Sequence, residues 1–350
     1  MKNTTKKLSA ALVAALLALG MAAGCTSTDN TSSKSDTKKT ESSAAAEDNA
    51  KVEDGKVYNV GICQLVQHEA LDAATKGFQD KLTELLGEDH VKFDYQNAQG
   101  DSATCATICN QFVSSNYDLI MANATPALQA AVASTTEIPI LATSITEYGT
   151  ALDIEDFSGK TGINVSGTSD LAPLDEQAKM VKELCPDAKT VGILYCSAEA
   201  NSKYQSTVVT KSLSDLGITA KEFTFADSND VAQVTTNACA ECDVIYIPTD
   251  NTAASNAELI NSIALPAKTP IIAGEENICK NCGIATLSIS YYDIGTKTGE
   301  MAYDILVKGE KAGEMEIAYA PRFKKEYMAD RAKELGITIP SDYEEIKAEE

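Results

Sequence analysis

From residue 57 onward, short runs of β-branched and other apolar residues alternate with stretches in which apolar side chains recur every three or four positions. Residues 57–63 fit a strand, and 69–86 fit a helix with Leu71, Ala74, Phe78, Leu82 and Leu85 along one face. Further strands are predicted at 91–95, 118–122 and 138–142, with helices around 103–113 and 126–133. This strand-helix alternation belongs to a mainly parallel sheet covered by helices.

The same plan returns in the second half in nearly the same words. Val60-Gly61-Ile62 corresponds to Val191-Gly192-Ile193, Asp118-Leu119-Ile120 to Asp243-Val244-Ile245, and Ile138-Pro139-Ile140 to Thr269-Pro270-Ile271. Three matches in one order, at almost constant separation, predict two similar lobes rather than one large sheet. The last third adds a strand at 283–289, an amphipathic helix around 294–307, a short strand at 316–319 and a charged helix near 324–335. In a two-lobed molecule these supply the crossings between lobes and the closing elements of each.

The first 54 residues follow another pattern. Lys2, Lys6 and Lys7 precede an apolar run over 8–21 that is too short for a comfortable membrane span, and Ala22-Ala23-Gly24 offers small residues before Cys25. This is an export signal. Its end resembles a bacterial lipobox, whose cysteine is lipidated, although Ala22 stands where Leu, Val or Ile is usual. Residues 26–54 are rich in Ser, Thr, Asp, Lys and Ala, with almost no large apolar side chain before Val52, and are expected to form a disordered tether.

Composition adds bounds. The chain has 350 residues, 44% of them hydrophobic and 23% charged. That is enough for two cores of about 120 to 150 residues each. A net charge of −22 makes nucleic acid a poor partner and favours a well-solvated surface.

Open α/β sheets bind ligands beyond the carboxyl ends of their strands. Those ends fall at 64–69, 97–101, 123–126 and 143–148 in the first lobe, and at 196–202, 226–230, 248–251 and 274–277 in the second. Both sets are polar and short-chained. Thr125-Pro126 has the form of a helix N-cap and first position, a place receptive to a carboxylate. Opposite it by the repeat, Asp250 offers an anion for an ammonium, so the pair could hold a zwitterion; both residues are also simply good caps. Glu275 and Glu276 follow a strand. Sequence neighbours seldom face one another, so ligand contact by one of them suits them better than acid-base catalysis.

Little else points to chemistry. His68 lies in the first cleft loop and His90 in a surface turn, neither in a metal-ligand pattern, and there is no Walker loop, GxSxG elbow or GxGxxG. No enzyme, cofactor or metal is called for. Ten cysteines are many for an exported chain. Cys239-x-x-Cys242 and Cys279-x-x-Cys282 allow a four-cysteine zinc site, a local disulfide within one or both pairs, or reduced and partly buried thiols. Cys105 and Cys109, four apart on a helix, are expected as small core hydrophobes. Tyr148, Tyr204, Tyr291 and Tyr292 lie near cleft or hinge loops, where they could stack on a ligand or merely pack.

Seven segments carry a family resemblance: 67–74, 94–101, Ala124-Thr125-Pro126, Gly167-Thr168-Ser169-Asp170, Glu199-Ala200-Asn201-Ser202, Pro248-Thr249-Asp250-Asn251-Thr252 and Ala273-Gly274-Glu275-Glu276. They resemble those of the ABC-transporter substrate-binding lipoproteins that include tryptophan- and tyrosine-binding members, over about 57–339. The resemblance implies a periplasmic-binding-protein type I fold: α/β, with two doubly wound Rossmann-like lobes, three hinge crossings, and a ligand between the lobes. Delivery would be to a membrane permease with its ATPase, with no bond made or broken. On this plan 1–25 is a lipoprotein signal peptide, 26–54 the tether, 55–164 with 290–317 the first lobe, 165–289 with 318–340 the second, and 341–350 an acidic tail. The matched positions imply Thr125 and Ser169 for a ligand carboxylate, Asp250 for its ammonium, and Asn201, Gln67 and Glu275 as supporting polar contacts. Ala70 stands where the family often has Pro.

The expected ligand is an amino acid, aromatic or otherwise hydrophobic. The expected protein is a monomer, exported and held at the outer face of the cell membrane by lipid on Cys25. Three alternatives remain open at this point: a surface receptor or adhesin on the same fold, an exported hydrolase or metal-dependent enzyme, and a nucleoside or sugar in place of the amino acid.

Overall fold

The computed structural model describes residues 55–347. The expected signal peptide, Cys25 and the tether lie outside the described residues. Among the described residues no helix is long and apolar enough to cross a membrane.

The first lobe is built from β1 (Tyr58–Gln64), α1 (Glu69–Leu86), β2 (Val91–Asn97), α2 (Ser102–Ser114), β3 (Leu119–Asn123), α3 (Thr125–Ser134), β4 (Ile140–Ile145), α4 (Tyr148–Leu152) and β5 (Val165–Ser169). The second lobe repeats the plan with α5 (Leu174–Leu184), β6 (Thr190–Cys196), α6 (Ala200–Asp215), β7 (Thr219–Phe225), α7 (Val231–Glu241) and β8 (Val244–Ile247). It continues through α8 (Asn251–Ser255), α9 (Ala257–Ala264), β9 (Ile271–Ala273), α10 (Glu276–Asn281) and β10 (Ala285–Ser288). The chain then returns through α11 (Tyr291–Leu306) and β11 (Ala318–Tyr319), and ends with β12 (Lys324–Tyr327), α12 (Ala329–Glu334) and β13 (Glu344–Glu345).

The strand orders are β2-β1-β3-β4-β5-β11 and β7-β6-β8-β9-β10-β12-β13. The first five strands of each sheet are parallel neighbours in the same relative order, so the two lobes are doubly wound copies of one plan. Alternation along the strands shows why both faces need helices. Leu119 and Met121 of β3 join the core under α1 and α11, while Ile120 and Ala122 join the core under α2 and α3. The matched aspartates of the repeat also do matched work. The Asp118 carboxylate accepts the Asn59 N–H at 2.7 Å, and the Asp243 carboxylate accepts the N–H groups of Lys189 and Thr190 at 2.9 Å, each at the start of its lobe's second-position strand.

The chain crosses between lobes three times, after β5, after β10 and after β11. The boundary expected at 164/165 is corrected by the pairing of β5 with β4, which keeps 165–169 in the first sheet. With Val-Ser-Gly-Thr-Ser it has a single large apolar residue and no strand signature, yet it fits because Gly167, at φ 146°, has no Cβ to strike the Ala142 carbonyl 1.9 Å away. Likewise β11 pairs with β5, so 318–319 belongs to the first lobe, and β13 pairs with β12, so 344–345 of the expected tail extends the second sheet. The charged helix expected over 324–335 is a strand over its first four residues. Lys324–Tyr327 runs antiparallel to β10, and only Ala329–Glu334 is helical. Tertiary pairing overrides local propensity in this polar, half-exposed segment.

The returning helix α11 lies on α1 at very short range. A Cβ added at Gly295 would stand 2.0 Å from the Ala74 carbonyl oxygen, so glycine there permits the contact that binds the last third of the chain to the first lobe.

Candidate functional site

Lobe-to-lobe contact begins at His68, which ends the loop from β1 and occupies the N-cap of α1. Buried polar groups of β1 and α1 fix that loop. The Gln64 amide donates to the Val66 carbonyl and to Asp72 at 2.9 and 2.7 Å, and accepts from the Thr75 hydroxyl at 2.7 Å. Across the gap, Asn251 opens α8, and its Oδ1 lies 3.3 Å from His68 Nε2. At the rim, the Lys280 ammonium donates to Glu69 at 2.9 Å. The lobes are therefore closed on one another.

They leave a small, partly open cavity between them, with little free space. Its walls are His68, Leu71, Ser144 and Asp170 on the first-lobe side, Asn201, Thr249, Asp250, Asn251, Ala254 and Glu275 on the second, and Tyr291 from the crossing after β10. All the second-lobe polar groups sit at helix N-termini just beyond β6, β8 and β9. A wider, open and acidic groove, with Glu69, Asp72, Glu276, Glu326 and Lys324, lies outside and shares Glu275 and Tyr291 with the inner cavity.

Three carboxyl groups, Asp170, Asp250 and Glu275, share the lining with the His68 ring. Burial pushes the Asp170 carboxyl up to about 6, against hydrogen bonds from Thr146 and Tyr291 that favour its ionised form. Burial, with Glu199 close by, takes Asp250 to about 8; burial, with Glu276 and Asp170 adding repulsion, takes Glu275 to about 8. His68 is held below its ordinary value by burial, and among the described residues no Lys or Arg lines the cavity. Four of the lining atoms, His68 Nδ1, Ser144 Oγ, Asp170 Oδ1 and Asn201 Oδ1, are buried without a hydrogen-bond partner. Buried polar atoms are rarely left so, and their convergence on one cavity marks a binding site for a polar molecule.

The six residues expected to bind divide evenly. Asn201, Asp250 and Glu275 line the cavity; Gln67, Thr125 and Ser169 do not. Gln67 is exposed on the loop. Thr125 is not the N-cap of α3. Ala124 takes that position at φ 85°, which places Thr125 within the first turn, buried. The Ser169 hydroxyl donates to the Thr146 carbonyl at 3.0 Å and accepts from Leu171 N–H at 3.1 Å, so it shapes the first crossing. Asp250 reaches the cavity, but its carboxylate already accepts Cys196 N–H at 2.7 Å, the Ser202 hydroxyl at 2.6 Å and Ala253 N–H at 2.7 Å. Asp170, one residue beyond Ser169, is the carboxylate with an unpartnered oxygen.

Ser144 fell inside the expected strand-end range 143–148 but was not singled out there, for a physical reason. It sits inside β4 at φ 58°, where the register with β5 slips between Ala142 and Ile145, and this irregularity brings a mid-strand side chain to the cavity. No local pattern announces such a bulge. The cysteines stand apart from the site. All nine within the described residues are free thiols, and no group of three or more candidate ligands there could hold a metal. The Arg331 guanidinium donates to the carbonyls of Cys279, Lys280 and Gly283 at 2.6 to 2.8 Å, so the second CxxC pair belongs to a tightly held turn between α10 and β10.

Known proteins share this arrangement. A tyrosine-binding protein of Clostridioides difficile is 35% identical over 318 residues, 89% of this chain and 87% of the relative. The ABC domain in complex with L-Trp from Streptococcus pneumonia is 34% identical, covers 82% of this chain and 97% of its own, and superposes with a TM-score of 0.78. A ligand-free, open structure of a substrate-binding protein with adhesive properties from Clostridium difficile is 36% identical, with 84% and 100% covered, yet gives a TM-score of 0.63. A poorer fit at equal identity is what closed lobes give against an open relative. The fold is the periplasmic-binding-protein type I fold expected from the sequence. With the sequence model for ABC transporter substrate binding proteins matching residues 59–349 as well, the chain belongs to the family of ABC transporter substrate-binding proteins.

Proposed function

We propose that this protein captures a single amino acid with an aromatic or other hydrophobic side chain between its lobes and presents it to a membrane permease driven by an ATPase. The observation that carries the reading is the set of buried carboxylates with no lining Lys or Arg, among them Asp170 with one oxygen unpartnered. The charge complementary to them is a cation, and an α-ammonium supplies it. Asp170 takes the ammonium through its unpartnered oxygen; the Glu275 carboxyl already accepts Asn277 N–H and Ile278 N–H at 2.7 and 2.6 Å and, like Asp250, lines the seat. The Ser144 hydroxyl, together with the first turn of α1, whose N-cap makes no side-chain cap bond, takes the carboxylate. Asn201 contributes a further polar contact, while Gln67, Thr125 and Ser169 shape the walls. Leu71, Ala254 and the Tyr291 ring receive the apolar part. The ligands named for two relatives, tyrosine and tryptophan, are of this class.

The same reading places the body outside the cytoplasm, monomeric, on a tether over 26–54 that ends at a lipid on Cys25. The surface-receptor alternative gains no better support. Calorimetry with L-amino acids, a nucleoside and a sugar tests the ligand class. An aromatic amino acid is expected to bind, and its analogue without the amino group to bind about thirtyfold or more weakly. Equal affinity for the two, or tight binding of the sugar or nucleoside alone, overturns the reading.

A further inference from the structure

The strand β1 and the helix α2 meet along a seam that carries three of the cysteines. Gly61 and Cys63 belong to one face of β1, since side chains alternate along a strand, and Cys105, Cys109 and Phe112 share one face of α2 at spacings of four and three. Cys63, Cys105, Cys109 and Phe112 are buried in the same core cluster. Glycine at position 61 sets how near the two elements come. A Cβ there would stand 2.6 Å from the Phe112 ring, so its absence lets α2 lie close on the strand. Two residues further along β1, that approach brings the Cys63 thiol into hydrogen-bond contact with the thiols of both Cys105 and Cys109, and its Sγ lies 4.0 Å from the Cys105 carbonyl oxygen. The hydrogen bond from Cys63 lowers the Cys105 pKa, while the bonds to Cys105 and Cys109, with burial, hold the Cys63 thiol up.

We propose that Cys63 and Cys105 form a disulfide that staples β1 to α2 and leaves Cys109 a free thiol, the oxidant being a low-molecular-weight disulfide met while the chain folds. The step is two exchanges. The Cys105 thiolate attacks one sulfur of the external disulfide, bonds to it and releases the other half as a thiolate. Cys63 then gives up its proton and attacks Cys105 Sγ, which forms the internal bond and expels the second half. Two protein thiols are oxidised, and one external disulfide is reduced to two thiols. The bridge spans 42 positions of sequence, a stretch that holds all of α1 and β2, so it restrains the unfolded chain far more than a bond within either CxxC pair. Gln64, the next residue, anchors the loop that ends at His68, so the staple sits directly behind that wall of the interlobe gap. Both cysteines are 0% exposed, which shields the finished bond from reductants. Only the source of the oxidant rests on the extracytoplasmic reading above. The pairing itself rests on the contact of β1 with α2 and is independent of the ligand.

The test is refolding of the full chain, denatured and fully reduced, in a mixture of reduced and oxidised glutathione, followed by alkylation under denaturing conditions and non-reducing peptide mapping. The expected product offers two alkylation sites fewer than the reduced chain and gives a linked pair of peptides that carry Cys63 and Cys105. It is expected to melt about 5 °C above the same chain refolded with excess reductant. Cys109→Ala is expected to keep both the linkage and the shift, and Cys63→Ala to melt alike with and without oxidant. A refolded chain whose thiols all remain open to alkylation overturns the proposal. So does linkage of Cys63 to Cys109, linkage confined to the CxxC pairs, or an oxidised form that melts no higher than the reduced one. Should a variant fail to fold, the wild-type peptide map and its two melting curves decide alone.

Discussion

Replacing Asp170 by Asn should weaken ligand capture and, at the same time, let the ligand-free protein close more readily. In the closed form burial takes this carboxyl from 3.8 to about 6. Set against a free carboxyl in water, that difference puts an upper bound of roughly 3 kcal/mol on the closing penalty for the ionised group. Its sign follows from proton uptake. A raised acid binds its proton more tightly in the closed state, so the penalty is absent below about pH 3.8, grows between there and about pH 6, and is complete above. Asp170→Asn keeps an acceptor for the Tyr291 hydroxyl and removes the charge. At pH 8 the ligand-free variant should therefore favour the closed form over the wild type, by at most roughly 3 kcal/mol, read as a smaller radius in solution scattering or a shorter lobe-to-lobe distance by fluorescence transfer. At pH 4 the two proteins should look alike. With ligand the order reverses, because an ammonium without its anion loses about 2 to 5 kcal/mol, which calorimetry reads directly. A variant that stays as open as the wild type at pH 8 and binds the amino acid equally well would refute both halves of the argument.

Three further outcomes are expected. The Glu199 carboxylate accepts from the N–H of Asn251, the N–H and hydroxyl of Thr252, and the side-chain amides of Asn251 and Asn201, all at 2.6 to 3.2 Å. Glu199→Ala should destabilise the fold by about 3 kcal/mol or more in urea unfolding, since several buried donors lose their acceptor at once. Gly295→Ala forces α11 away from the Ala74 carbonyl and should cost about 2 kcal/mol or more by the same measurement, whereas a neutral result would mean that the two helices can separate freely. Lys280→Ala removes an exposed interlobe ion pair with Glu69, with side chains 21% and 57% exposed, and should change ligand affinity by less than about 1 kcal/mol, an effect that salt erases in the wild type.

The doubled architecture was legible because its strands are buried on both faces, which writes apolar runs such as Val60-Gly61-Ile62 and Val191-Gly192-Ile193 into both halves. The aspartates that start β3 and β8 were matched for the same reason that they are retained, each clamping backbone at a strand start. Where pairing rather than side-chain pattern decides, the reading slipped. β5 is held by backbone close approach at Gly167, and β12 by its antiparallel partner, so neither advertises itself. In the site, strand ends were the right places to look, yet individual roles depend on which oxygen is already engaged. Asp250 looked like the ammonium partner and proves to be held by three internal donors, while its neighbour in function, Asp170, carries the unpartnered oxygen. His68 stood in the expected loop. It lacked any metal pattern, and its contact across the gap is made with Asn251, 183 residues away.

Asp170 and Tyr291 lie on two separate passages of the chain between the lobes, 121 residues apart, and are tied to each other there. A bond spanning two pivots feels every change in the angle between the jaws, so protonation at this one acid and the posture of the whole molecule are read by each other. A guest whose charged head settles here acts on the joint itself and needs no relay to hold it shut.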